Sequence, residues 1–147
     1  MKKYKSKIGW EIIIILVLVF AWIFYDITKS GINWDLTSII AFSLLLLLII
    51  LIGYLLFSIR YFINFDKAEL LVKIGVFKYA EISISKIHKI KETRTILSSP
   101  AASLDRLEVF YHQFNSVIIS PKNKKEFIQD LHKINPEIKI KYRKTKK

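Results

Sequence analysis

Apolar and polar positions along the 147-residue chain fall into regions of different period. The first is an unbroken apolar run from Ile12 to Phe24. Extended to 8–27 it gives a 20-residue helix, which at about 1.5 Å per residue matches a hydrocarbon core of roughly 30 Å. Glu11 and Asp26 enter only near its ends, where a charge lies at the interface and costs little. Trp10 and Tyr25 flank it as interfacial aromatics. The second region, 36–59, carries no charge and contains nine consecutive Leu or Ile from Leu44 to Ile52. Both predict transmembrane helices. No small-x-small cleavage site follows the first run, which argues against a removable leader.

Beyond Ile59 the period falls to two, the signature of strands. Six are predicted: Tyr61–Phe65, Leu70–Phe77, a short one at Ile82–Ser85, one running to about Arg94, Leu104–Tyr111 and Ser116–Ile119. Ile84, Ile87 and Ile90, spaced by three, predict a short helical turn ahead of the fourth strand. Asp66–Glu69 and His112–Asn115 read as turns, and Ser98-Ser99-Pro100 as a break. The period then lengthens. Ser120 is a candidate N-cap and Pro121 a first helical residue. Phe127, Ile128, Leu131 and Ile134 share one helical face, and Asn135-Pro136 ends it. The predicted fold is a membrane α-hairpin (anchor, 1–59), a small α+β domain of antiparallel strands closed by one helix (60–138), and a basic tail (139–147).

Charge turns this division into a topology. The net charge is +12, yet 1–59 holds five lysines against three acids, leaving +10 beyond residue 59. Four lysines precede the first helix, and Arg60, Lys67 and Lys73 follow the second. The loop between them, 28–35, has only Lys29 and Asp35. Lys/Arg bias predicts a multi-pass cell-membrane protein with both termini cytoplasmic. Neither helix has an ionisable residue near its middle, as a transporter or proton relay would; Ser43 and Gly53 suit helix–helix packing.

Candidate chemistry is sparse. There is no cysteine, and His88, His112 and His132 have no metal-ligand spacing. The four glycines are isolated, so no phosphate-cradling loop is present. Asp105 and Glu108 face opposite ways in a strand, a poor acid/base pair. The reading is a non-enzyme without catalytic, cofactor or metal site. The basic tail remains: Lys139, Lys141, Arg143, Lys144, Lys146 and Lys147, with Lys122, Lys124 and Lys125 upstream. Beside a cytoplasmic leaflet each such charge attracts anionic lipid by about 1 kcal/mol. Nucleic acid is disfavoured, because no base-reading motif or stacking platform accompanies the tail.

The run from Ser99 through Ser103, Asp105 and Arg106 to Val109 resembles, together with Ser116–Ile128 and Asn135-Pro136, a group of small bacterial membrane proteins. These carry a bacterial pleckstrin-homology (PH) domain of the YyaB-like type. A sublancin immunity protein belongs to the same broad group. The resemblance implies a bent antiparallel barrel of about seven strands, which would put a seventh around 94–98, capped by the C-terminal helix, and bacteriocin immunity as one role. The alternative, independent of the resemblance, is a membrane-tethered scaffold that docks a protein or peptide partner or anionic lipid. Asp105 and Arg106 are adjacent and so point to opposite faces. Asp105 is expected to cap a turn and Arg106 to pair elsewhere, with a ligand contact as the alternative. The first loop, Asp66–Glu69, has one basic and two acidic residues, so phosphoinositide binding is not carried over.

Overall fold

A computed structural model describes residues 1–29, 36–95 and 100–143. The two apolar runs form helices α1 (Trp10–Lys29) and α2 (Leu36–Ser58). No residue of α2 is buried. Among the described residues, α2 is the one helix long and apolar enough to cross a membrane. The expected pair of spans, 8–27 and 36–59, is thus matched by one.

Residues outside these helices build two four-stranded sheets. The first has the order β1 (Lys2–Lys5), β2 (Ile59–Asn64), β3 (Glu69–Ile74), β4 (Phe77–Ser83), all antiparallel. A 3₁₀ turn at Ile84–Lys86 leads into the second. It holds β5 (Ile87–Thr93), β6 (Arg106–Tyr111), β7 (Asn115–Ile119) and, after helix α3 (Lys124–Ile134), β8 (Lys139–Lys141). Its order is β7-β6-β5-β8, with β8 parallel to β5.

The predicted strands occur with several differences. The short one expected at Ile82–Ser85 survives only as the last two residues of β4, and Ile84 and Ser85 lie in the 3₁₀ turn. The boundary at 59 moves, because Lys2–Lys5 leaves the anchor and pairs with β2. Tyr4 and Ser6 point inward while Lys3, Lys5 and Lys7 point out, a period of two partly masked by the charge. The run expected to be one strand from Leu70 to Phe77 is broken at Gly75-Val76. Gly75 has φ +60°, which a residue with a Cβ rarely adopts, and it opens a two-residue hairpin loop. Part of the basic tail is the edge strand β8, in keeping with the alternation of Lys139, Lys141 and Arg143 with Ile138, Ile140 and Tyr142. Arg94 and Thr95 are in no strand, and the rest of the seventh, 96–98, lies outside the described residues.

A further difference concerns Ser120 and Pro121, which do not start the helix. It starts at Lys124, with Asn123 as N-cap. Pro121 pairs instead with Ser6 in an antiparallel bridge, flanked by Lys7 N–H to Ser120 O at 2.6 Å and Lys122 N–H to Lys5 O at 3.0 Å. Proline, lacking an N–H, fits such an edge position. Ser6 also donates its N–H to Ile59 O at 3.3 Å. The segment between β1 and α1 therefore bonds both to β2 and to the stretch that follows β7, linking the two sheets along one side.

Inward positions of both sheets form the core, with Tyr61, Ile63, Leu70, Val72, Ile87, Ile90, Leu107, Val109 and Ile119 fully buried. Phe127, Ile128 and Leu131 of α3 cap it, with Ile134 partly buried. Phe127 meets the Tyr4 ring edge-on at 5.1 Å, a favoured aromatic geometry.

Candidate functional site

Ser103, Asp105, Arg106, Ser120 and Pro121 gather at the corner where the chain turns into α1, whereas Asn135 lies elsewhere. Tyr61 is fully buried, and its hydroxyl donates to the Pro100 carbonyl at 2.7 Å and accepts the Ser120 N–H at 3.0 Å. Ser6 Oγ lies 2.9 Å from Ser120 Oγ and accepts the Ala102 N–H at 3.3 Å. Gly9 donates to Ala102 O at 2.8 Å, and a Cβ there would sit 3.2 Å from Ser103 Cα. Ser120, expected as a helix cap, instead ties β1 and β2 to this corner.

Asp105 and Arg106 diverge there. Arg106 is buried and turns its guanidinium back onto backbone carbonyls, with Nε donating to Ser103 O at 2.6 Å and Nη2 to Ala101 O at 3.4 Å. Burial pulls its pKa below the usual value. Asp105 does not cap the turn. Its own N–H donates to Ser103 Oγ at 3.1 Å, while its carboxylate binds Lys7 at 2.7 Å and Lys124. Partial burial pushes that carboxyl up, but Lys124 and Lys7 outweigh it and hold the pKa low.

At the other end of β1 lies an acid the sequence reading missed. Asp130, on the buried face of α3, accepts Lys2 Nζ at 2.5 Å, the Tyr4 hydroxyl at 2.6 Å and Lys133 Nζ at 3.0 Å. Burial disfavours its charge, yet these donors bring its pKa to about 2. Burial and the Asp130 charge push the Tyr4 hydroxyl up to about 12. The signal was available: Asp130 falls three residues after Phe127, inside the apolar stripe. Asn135, expected only to stop the helix ahead of Pro136, also donates Nδ2 to Ile84 O and Ile87 O, both at 3.0 Å.

The tail cations sit elsewhere. Lys139 and Lys141 lie opposite Lys89 and Lys91 on β5, and the Arg143 N–H donates to Glu92 at 3.0 Å. Lys144, Lys146 and Lys147 are outside the described residues. A groove of about 480 Å³ runs between α3 and β8, lined by Lys125, Ile128, His132, Lys133, Ile140 and Tyr142. Among the described residues, no three His, Cys, Asp or Glu gather as a metal site.

Two sheets and a C-terminal helix, with the helix's apolar stripe packed into their shared core, define a PH-like domain. A family profile described as "Bacterial PH domain" matches residues 59–135, and the chain belongs to that family. No curated protein matches the chain, and no solved structure does.

Proposed function

We propose that the chain is a membrane-anchored, non-enzymatic binding module, held by a hairpin of two spanning helices at 8–27 and 36–59, with both termini cytoplasmic. The observation that carries the reading is the β1–β2 ladder, from Lys2 opposite Ile63 to Lys5 opposite Arg60. Its strands lie on either side of α1 and α2 in the chain. A bilayer cannot lie between hydrogen-bonded strands, so the helices between them cross an even number of times. Zero crossings would leave α2 in water with no residue buried. Two crossings use α1 as the return span, with Glu11 and Asp26 at its interfaces. Lysines at the paired end favour the cytoplasmic side.

The chain lacks cysteine, so single thiols report the topology. An impermeant maleimide should label Asn33→Cys in intact cells, and Phe114→Cys only after lysis (Phe114 is 95% exposed). Labelling of both, or of neither, in intact cells would refute the hairpin.

For the role of the module, resemblance to the YyaB-like group supports bacteriocin immunity. Expression in sensitive bacteria should then protect them, and unchanged killing across a panel of membrane-active bacteriocins would remove that role. Docking of a protein partner, the second reading, is supported by β4, an edge strand exposing Phe77 and Tyr79.

A further inference from the structure

Register places like charges in a row directly beneath α2. Lys5 lies opposite Arg60, Arg60 opposite Lys73, and Lys73 opposite Lys78. Like charges facing each other across strands oppose folding, so this row needs a compensating anion. Two members have one locally or are softened: Lys78 pairs with Glu81 at 2.5 Å, and Lys73 lies 5.5 Å over the Phe62 ring. Lys5 and Arg60 have no carboxylate partner among the described residues.

Lys122 joins them. Its N–H donates to Lys5 O, and it too has no carboxylate partner among the described residues. Lys5, Arg60 and Lys122 line one pocket of about 620 Å³ together with Lys7, Phe57 and Asn123. Lys7 is already neutralised by Asp105 at 2.7 Å, which leaves three cations facing the space. Arg60 is the best placed. Its Nη1 is fixed on the carbonyls of Phe57 and Ile59, at the negative end of the α2 dipole. Its Nε and Nη2 meet no protein acceptor among the described residues, and they form the planar fork that suits a phosphate.

One wall of the pocket, Phe57, belongs to the last turn of α2. An adjoining cavity of about 480 Å³ adds Tyr54, Lys3 and the hairpin-tip residue Val76, which is 85% exposed. Gly75 beside it is hydrogen-bonded to Ser58 O at 3.2 Å, so this apolar tip sits level with the end of α2. A cationic pocket with apolar rims at the end of a spanning helix has the amphipathic character of a lipid headgroup region. We infer that it holds the phosphate of an anionic phospholipid in the leaflet where the hairpin ends, an inference that rests on the anchor reading above. It is a different place from the tail.

The full chain in nanodiscs of equal phosphatidylcholine and phosphatidylglycerol, released for native mass spectrometry, tests this. Wild type should retain phosphatidylglycerol in preference to phosphatidylcholine. R60Q and K122Q should each lower that preference about fivefold, the fold-change of about 1 kcal/mol per cation. R60K, which keeps the charge, should retain most of it, and K86Q, in the 3₁₀ turn and outside the pocket lining, should leave it unchanged. No preference in wild type, or an undiminished one in R60Q/K122Q with an unshifted melting temperature, would overturn the inference. So would displacement of the lipid by millimolar inorganic phosphate, which would mark a free-anion site. Flotation with pure phosphatidylcholine vesicles separates the two claims. Floating protein without phosphatidylglycerol preference refutes the pocket alone, whereas protein that does not float refutes the anchor and the pocket with it.

Discussion

The N-terminal strand is held at both ends by a carboxylate between lysines, and the two ends differ in what surrounds the charge. Asp130 takes Lys2, Lys133 and the Tyr4 hydroxyl, with its side chain only 3% exposed. Asp105 takes Lys7 and Lys124 with its side chain 43% exposed. Both carboxyl pKa values lie below the ordinary carboxylate value, and in both burial works against the shift. Counting ion pairs would rank the two ends alike. Burial ranks them differently: Lys2 and Lys133 keep their ammonium groups in water at both pairs of Asp130, but the Asp130 carboxylate itself is withdrawn from it and, once its donors are lost, has no water to turn to. The Asp130 end is therefore a structural fastening, and the Asp105 end an adjustable one.

The sharpest way to break the comparison is Asp130→Asn. It removes the charge facing Lys2 and Lys133 and weakens the buried acceptor of Tyr4, for a loss of about 2–3 kcal/mol. At about 5 °C per kcal/mol for a domain of this size, thermal unfolding of the full chain in nanodiscs should move down by about 10 °C. The pH dependence has a fixed sign. The folded-state pKa of about 2 lies below the ordinary 3.8, so the contribution is complete above pH 3.8 and is lost as pH falls through 2. The variant should lack this acid-dependent component. A melting temperature equal to wild type would show that the Asp130 cluster does not fasten β1.

Less was legible in the sequence at this strand than anywhere else, and the reason is physical. The strands after residue 59 announce themselves because each puts alternate apolar side chains into one core. The segment Lys2-Lys-Tyr-Lys-Ser contributes only Tyr4 and Ser6 inward, between lysines that read equally well as a positive membrane flank. Its true partner, β2, is more than fifty residues away, beyond both helices. Ser120-Pro121 misleads in the opposite direction. Those residues are chemically suited to start a helix, but the Ser120 hydroxyl is drawn to Ser6 and its N–H to Tyr61. The periodic face of the helix from Phe127 to Ile134 was readable because it depends on local spacing alone.

Tyr61→Phe addresses the corner between the two carboxylates with a smaller expected effect. The ring stays in the core, while the Ser120 N–H and the Pro100 carbonyl lose their shared partner. Leaving buried groups unpaired costs about 1–2 kcal/mol, so the melting temperature should fall by roughly half as much as in Asp130→Asn. A neutral result would mean that water replaces the hydroxyl, and that the corner is more open than its burial implies.

Asp105→Asn has the smallest expected effect on stability and the most specific one on function. An ion pair this exposed contributes at most about 1 kcal/mol, and the loss should shrink further at high salt because the charges are reached by counterions. The substitution also changes the neighbouring pocket. Lys7 lines the space shared by Lys5, Arg60 and Lys122, and in the wild type its charge is spent on Asp105. Released, it becomes a fourth cation available to an anionic headgroup. Asp105→Asn should therefore raise phosphatidylglycerol retention while slightly lowering the melting temperature, whereas Asp130→Asn should lower the melting temperature strongly and leave retention alone. Retention that fell in Asp105→Asn would mean that Asp105 helps to position the lysines rather than competing with the lipid for one of them.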